Sequence, residues 1–149
     1  MTTHVSVSNM DRSQGGSRGL HIGLWIAQAI LALVFCVAGV MKLVTPMSEL
    51  ARTMSWATDV PVGLIRLIGV FELLGGLAMV VPVWTETWLV LTPLSGVCLA
   101  LLMICAITFH LLRGEATAIV VPFILGALAV FVTWGRSLRA PFPAKSPPT

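Results

Sequence analysis

The chain has 149 residues, of which 57% are hydrophobic and only 10% charged. Soluble domains carry roughly a quarter charged residues, and a mean hydropathy of +0.97 points the same way, so a soluble globular domain is excluded and a one-domain integral membrane protein is expected. The formal net charge of +3 comes from scattered basic residues that no stacking aromatics accompany, which excludes a nucleic-acid surface and leaves the charges as flanks of membrane spans.

The chain opens on a polar Ser/Gly-rich arm, residues 1–20, whose composition predicts disorder. Four apolar runs follow, at about 22–44, 61–84, 88–112 and 116–134. Each is near the roughly 20 residues that cross the hydrocarbon core. The first is too long for a typical signal-peptide core and is read as a retained span. Lipid offers no partners for open strand edges, and the runs lack the alternation of a barrel strand, so each is a helix. The expected fold class is all-α, a transmembrane four-helix bundle over residues 21–136. A Pro-rich tail, 137–149, ending in "APFPAKSPPT", is expected to be disordered.

The connections order the helices. Thr85-Glu86-Thr87 joins the second and third runs, and Arg113-Gly114-Glu115 joins the third and fourth. Turns this short make antiparallel neighbours. The one long connection, Thr45 to Val60, contains "TPMSELARTMSW", where Ser48 is placed to cap a short helix running toward Trp56 as an amphipathic cover. An even number of spans puts both termini on one side, with Arg12, Arg18, Arg136, Arg139 and Lys145. Lys42, Arg52 and Arg113, and Arg66 if it is counted, lie on the other, so the positive-inside bias makes the termini cytoplasmic. Trp25, Trp84, Trp88 and Trp134 then fall at one interface, as an aromatic belt does.

Polar residues inside the runs are the candidate site. Glu72 stands in "GVFELLGG", near the middle of the second run. A charge there costs roughly 3 kcal/mol and usually faces the bundle interior. Gly69 and Gly76 share its helix face, and such small residues let another helix approach. Arg66 points about 120° away from Glu72 on the same helix, so the two do not pair directly. The alternation of spans nevertheless brings Lys42, Arg66, Glu72 and His110 into the same half of the bilayer. The bland alternative is that Lys42 and Arg66 snorkel, that His110 bonds a helix-end carbonyl, and that Glu72 is a packing residue. Gln28 is a further amide able to pair across helices. Gly75, Gly76, Gly96 and Ala100 are candidate packing positions, the last two forming a small-xxx-small pair. Met41, Met79 and Met103 read as core fillers, and Cys36, Cys98 and Cys105 as buried packing residues. No His/Cys/Asp/Glu set has metal-ligand spacing, and no nucleotide loop or catalytic triad is present.

Several of these stretches resemble the DoxX-like family of small four-span membrane proteins. They are "ALVFCVAGVMKLVTP" with Gly39 and Lys42, "GVFELLGGLAMVVP" with Glu72, a third run ending in His110, and the closing "FVTWGR". The resemblance covers about residues 20–136. It implies a multi-pass protein of the bacterial plasma membrane, with Lys42, Glu72 and His110 at the family's polar positions. It also implies association with other membrane or redox subunits, since relatives include parts of a thiosulfate:quinone oxidoreductase and of oxidative-stress complexes.

Three functions follow as expectations. One is the membrane subunit of a redox complex with a quinone-binding pocket, in which Glu72 relays protons and Lys42 or His110 holds a quinone oxygen. The second is a non-catalytic scaffold or assembly factor whose small residues pack on another subunit or a second copy. The third is a lipophile-binding carrier or isomerase. No cofactor is encoded, and quinone is the candidate.

Overall fold

The computed structural model describes the backbone of residues 4–139 and the side chains from Arg18 to Arg139. Every regular element is helical: α1 (His4–Val44), α2 (Met47–Thr53), α3 (Val62–Trp84), α4 (Leu91–Leu112) and α5 (Val120–Trp134). A 3-10 turn, Ser55–Thr58, follows α2; another, Ala116–Ile119, leads into α5; and a π-turn, Gly135–Arg139, extends it. Four helical stretches are long and apolar enough to cross a membrane: Arg18–Val44, Val62–Trp84, Leu91–Leu112 and Ala116–Arg139. Only 17% of the last span's most apolar window is buried, so most of its apolar surface is left for lipid, as a membrane helix requires.

α1 begins at His4 and so includes most of the arm for which composition predicts disorder. Extending a formed helix costs little per residue compared with nucleating one. Residues 137–139 belong to the π-turn; the rest of the Pro-rich tail lies outside the described residues. The third span starts at Leu91 and not at Trp88, because Glu86 (φ 53°) and Trp88 (φ 55°) adopt left-handed backbone that breaks the helix. Ser48 does not cap α2. It lies inside the helix, and Pro46 starts it, its carbonyl accepting from the amides of Glu49 (3.1 Å) and Leu50 (3.0 Å).

The core is a single seam through all four spans. Ala27, Leu31 and Phe35 of α1 meet Met79 of α3, Leu99 and Met103 of α4, and Ala129 and Val132 of α5. Met79 and Met103 fill it as the sequence suggests. Cys98 and Cys105, expected to be buried, are exposed on the outside of the bundle, and Cys36 is half-buried. A separate cluster of Leu50, Ala57 and Ile65, with Met41, Met54 and Trp56 packed around it, fixes the long connection as a cover over one end. Lipid penalises any open carbonyl, and Pro82 of α3 leaves that of Ala78 without its helical donor. The Thr92 hydroxyl of α4 donates to it at 3.4 Å.

Candidate functional site

α1 and α3 run antiparallel at close range. A Cβ at Gly39 would lie 2.7 Å from the Gly69 carbonyl oxygen and 2.7 Å from the Leu73 amide nitrogen. Both obstacles are backbone, so only glycine allows this approach. Further along, Gly76 sits against Cys36, whose sulfur would be 2.8 Å from an added Cβ. This register places Arg66 beside the end of α1. Its guanidinium donates to the Lys42 carbonyl and, at 2.9 Å, to that of Thr45. These are orphan carbonyls of a helix C-terminus, where a cation is also favoured by the helix dipole. Arg66 is thus a cap for α1, directed away from Glu72.

The same register lets Lys42 reach Glu72. Helical side chains lean toward the N-terminus, so Lys42, in the last turn of α1, extends back into the bundle. Its Nζ donates to Glu72 Oε1 at 2.9 Å and Oε2 at 2.7 Å. Both residues are 5% exposed. A lone charge at this depth is costly, and each ion here is offset by the other.

The pair forms part of the wall of a cavity of about 680 Å³ between the four spans and the cover. Apolar side chains such as Phe35, Ile68, Phe71 and Leu125 make most of the lining. Lys42, Glu72, His110 and the Cys105 thiol supply its charged and titratable groups. A large apolar chamber with a few convergent polar groups is the usual form of a small-molecule site. Trp56 from the cover closes one side, its ring edge-on to Phe109 at 6.1 Å and 77°.

His110 joins the cavity to an ion network outside it. Its Nδ1 lies 2.7 Å from Glu115 Oε2, Arg113 Nε donates to Glu115 Oε1 at 3.0 Å, and Arg113 also pairs with Asp59 of the cover. Hydrogen bonds first from His110 and then from Arg113 hold the Glu115 carboxyl below its ordinary range. The Arg113 hydrogen bond, followed by its charge, does the same for Asp59, and the Asp59 bond raises Arg113. An ionised Glu115 only accepts. His110 Nδ1 therefore donates to Glu115, and Nε2 is the ring nitrogen that this bond leaves over.

The sign of the pH effect follows. A carboxylate with a depressed folded pKa contributes stability that is complete above its unfolded value of about 4 and is lost as pH falls through the folded value. The fluorine NMR signal of fluorotryptophan at Trp56 is therefore expected to move as pH falls below about 4, where the clamp of Asp59 on Arg113 is lost. A signal unmoved below about pH 4 contradicts this clamp.

At the opposite end of the bundle lies a polar cluster that only Gln28 hints at in the sequence. Gln28 Nε2 donates to the Met79 carbonyl at 2.8 Å, and Arg136 Nε donates to Gln28 Oε1 at 2.7 Å. Arg136 is 3% exposed. Its Nη1 is 3.3 Å from His21 Nδ1, and its guanidinium lies over the Trp25 ring at 5.6 Å. The sequence reading counts Arg136 as a loop charge; the π-turn folds it back into the bundle. Its place two residues after the last apolar run conceals this, and a lone amide near the inner end of the first span is the available signal. Arg136→Leu is expected to leave the cavity intact while lowering thermal stability, because the Gln28 carbonyl loses its donor. Unchanged melting in detergent contradicts that role.

The structure thus brings Lys42, Glu72 and His110 to one cavity and sends Arg66 elsewhere. The candidate packing residues are consumed within the chain. Gly75 meets Leu99, Gly96 meets Ala129 and Thr133, and Ala100 is in the core. They are not available to another subunit, contrary to the expectation under the scaffold function. Residues 26–132 match the model of the DoxX-like family. No curated protein and no solved structure matches the chain.

Proposed function

Because the chain belongs to the DoxX-like family, we propose that it is the membrane subunit of a redox or oxidative-stress complex whose cavity holds the ring of a quinone. The family match supports placing it in the bacterial plasma membrane. The observation that carries the reading is the Lys42–Glu72 pair, bonded at 2.7 and 2.9 Å in the wall of a cavity of about 680 Å³ that is otherwise mostly apolar. A flat apolar ring with oxygens at its edge matches such a lining.

Each residue has a role in this reading. Lys42 has three donor hydrogens and spends two on Glu72, which leaves one for a ring carbonyl. Glu72 keeps the ammonium charged and in place and serves as the proton station beside it. His110 offers Nε2 to an oxygen of the ring, and Glu115 orients the imidazole through Nδ1. A bound quinone supplies a two-electron, two-proton acceptor, with electrons delivered by a partner subunit.

Purification from native membrane into nanodiscs, followed by mass spectrometry of extracted lipids, tests the reading. A prenylated benzoquinone or naphthoquinone is expected near one per chain. Its presence only in proportion to the bulk membrane removes the quinone reading. Stoichiometric recovery of a different lipophile favours a carrier or isomerase. The scaffold function loses its main support, because the small residues that suggested it are already packed.

A further inference from the structure

A second apolar groove, of about 450 Å³, runs along the outside of the seam between α3 and α4. Phe71, Leu102 and Cys105 belong to both this groove and the cavity, so the two spaces share a wall. From Leu102 the groove follows α4 to Leu91, about 16 Å at the rise of an α-helix. α3 lies there with Leu74, Gly75 and Ala78, and Gly75 leaves the α4 side of the seam open to Leu99. Ser95 is its one hydroxyl, and that hydroxyl donates to the Thr92 carbonyl at 2.8 Å. The groove therefore offers a ligand mostly hydrocarbon contact, with the weakly polar thiols of Cys98 and Cys105 beside it.

We propose that the α3–α4 seam is the tail channel of the cavity, holding the hydrocarbon chain of a lipophile whose polar ring lies against Lys42 and Glu72. The inference rests on the quinone reading and adds that the ligand is a long-tailed quinone that arrives sideways from the bilayer. Adjacency to the cavity, a lining that is mostly hydrocarbon and the length of the groove favour an unbranched or prenyl chain. A rigid second headgroup would find little to bond there.

Leu94 and Cys98 line the groove, are exposed and do not touch the cavity, so Leu94→Trp and Cys98→Trp obstruct the tail and spare the ring site. Binding of a decyl-benzoquinone and of the same ring without its tail is measured by fluorescence quenching in nanodiscs, with empty nanodiscs as the blank. Wild type is expected to bind both. Each Trp variant is expected to lose at least about tenfold in affinity for the tailed compound and to keep its affinity for the bare ring, which also reports that the variant is folded. Equal behaviour of the two compounds in every variant overturns the tail channel and leaves the quinone reading standing. Failure of wild type to bind either overturns both.

Discussion

Glu72→Ala, with Lys42 left in place, is expected to destabilise the bundle by about 3–5 kcal/mol, the cost of stranding one partner of a buried ion pair. Both groups are almost wholly enclosed, and among the described residues Glu72 is the carboxylate that the Lys42 ammonium bonds. Water reaches an exposed pair and repays its loss; here it does not. Lys42→Met alone strands the carboxylate, which can take up a proton, so its cost is smaller. The double variant Lys42→Met/Glu72→Leu replaces the pair with apolar groups of similar volume, and such exchanges are often neutral or stabilising. Unfolding in mixed micelles should therefore rank Glu72→Ala below Lys42→Met, and the double variant close to wild type. Two single variants and a double variant that are equally unstable would mean the pair contributes by shape and not by charge.

The second large effect concerns the α1–α3 contact. Gly39→Ala is expected to cost about 1–3 kcal/mol, typical of overpacking a tight interface, because the new methyl meets two backbone atoms at 2.7 Å. The helices have to separate, and separation moves Lys42 from Glu72 and Arg66 from the carbonyls it caps. Gly69→Ala, where a Cβ would stand 2.9 Å from that of Lys42, acts on the same contact. The two changes together should then cost less than their sum. Gly63 is the control. Nothing lies within 4 Å of a Cβ there, so Gly63→Ala is expected to be neutral or slightly stabilising. If Gly39→Ala melts like Gly63→Ala, the close approach does not hold the site together.

The architecture was legible because lipid is a demanding solvent. Runs of this length and apolarity permit little besides spanning helices, and the connections between them dictate which helices adjoin. Alternating direction alone put Lys42 and Glu72 in the same half of the bilayer; their meeting depends on the register of α1 against α3 and on the Lys42 side chain reaching back along the bundle. His110 reached the same half by that alternation, but its hydrogen-bond partner, Glu115, lies five residues on in its own loop.

Other features depend on geometry that linear spacing does not encode. Arg66 is turned to the carbonyls of α1 by the antiparallel register, which the Gly39–Gly69 approach sets. Cys98 and Cys105 are exposed, yet their helix is apolar on every side, so periodicity cannot separate its packed positions from its open ones. Arg136 enters the bundle through a π-turn that no residue pattern marks. The break at Trp88 depends on left-handed backbone at two residues that rarely adopt it. The cavity itself is what remains between four helices and a cover, and it belongs to their packing as a whole.

The most direct test compares quinone binding by wild type and by the Lys42→Met/Glu72→Leu variant in nanodiscs, once their unfolding curves have been shown to coincide. The account predicts saturable binding of a benzoquinone by wild type and at least a tenfold loss in the variant, since a chamber of unchanged volume no longer has a donor for the ring oxygen. Equal affinity in the two proteins contradicts it, because the ion pair would then have no part in holding a ligand.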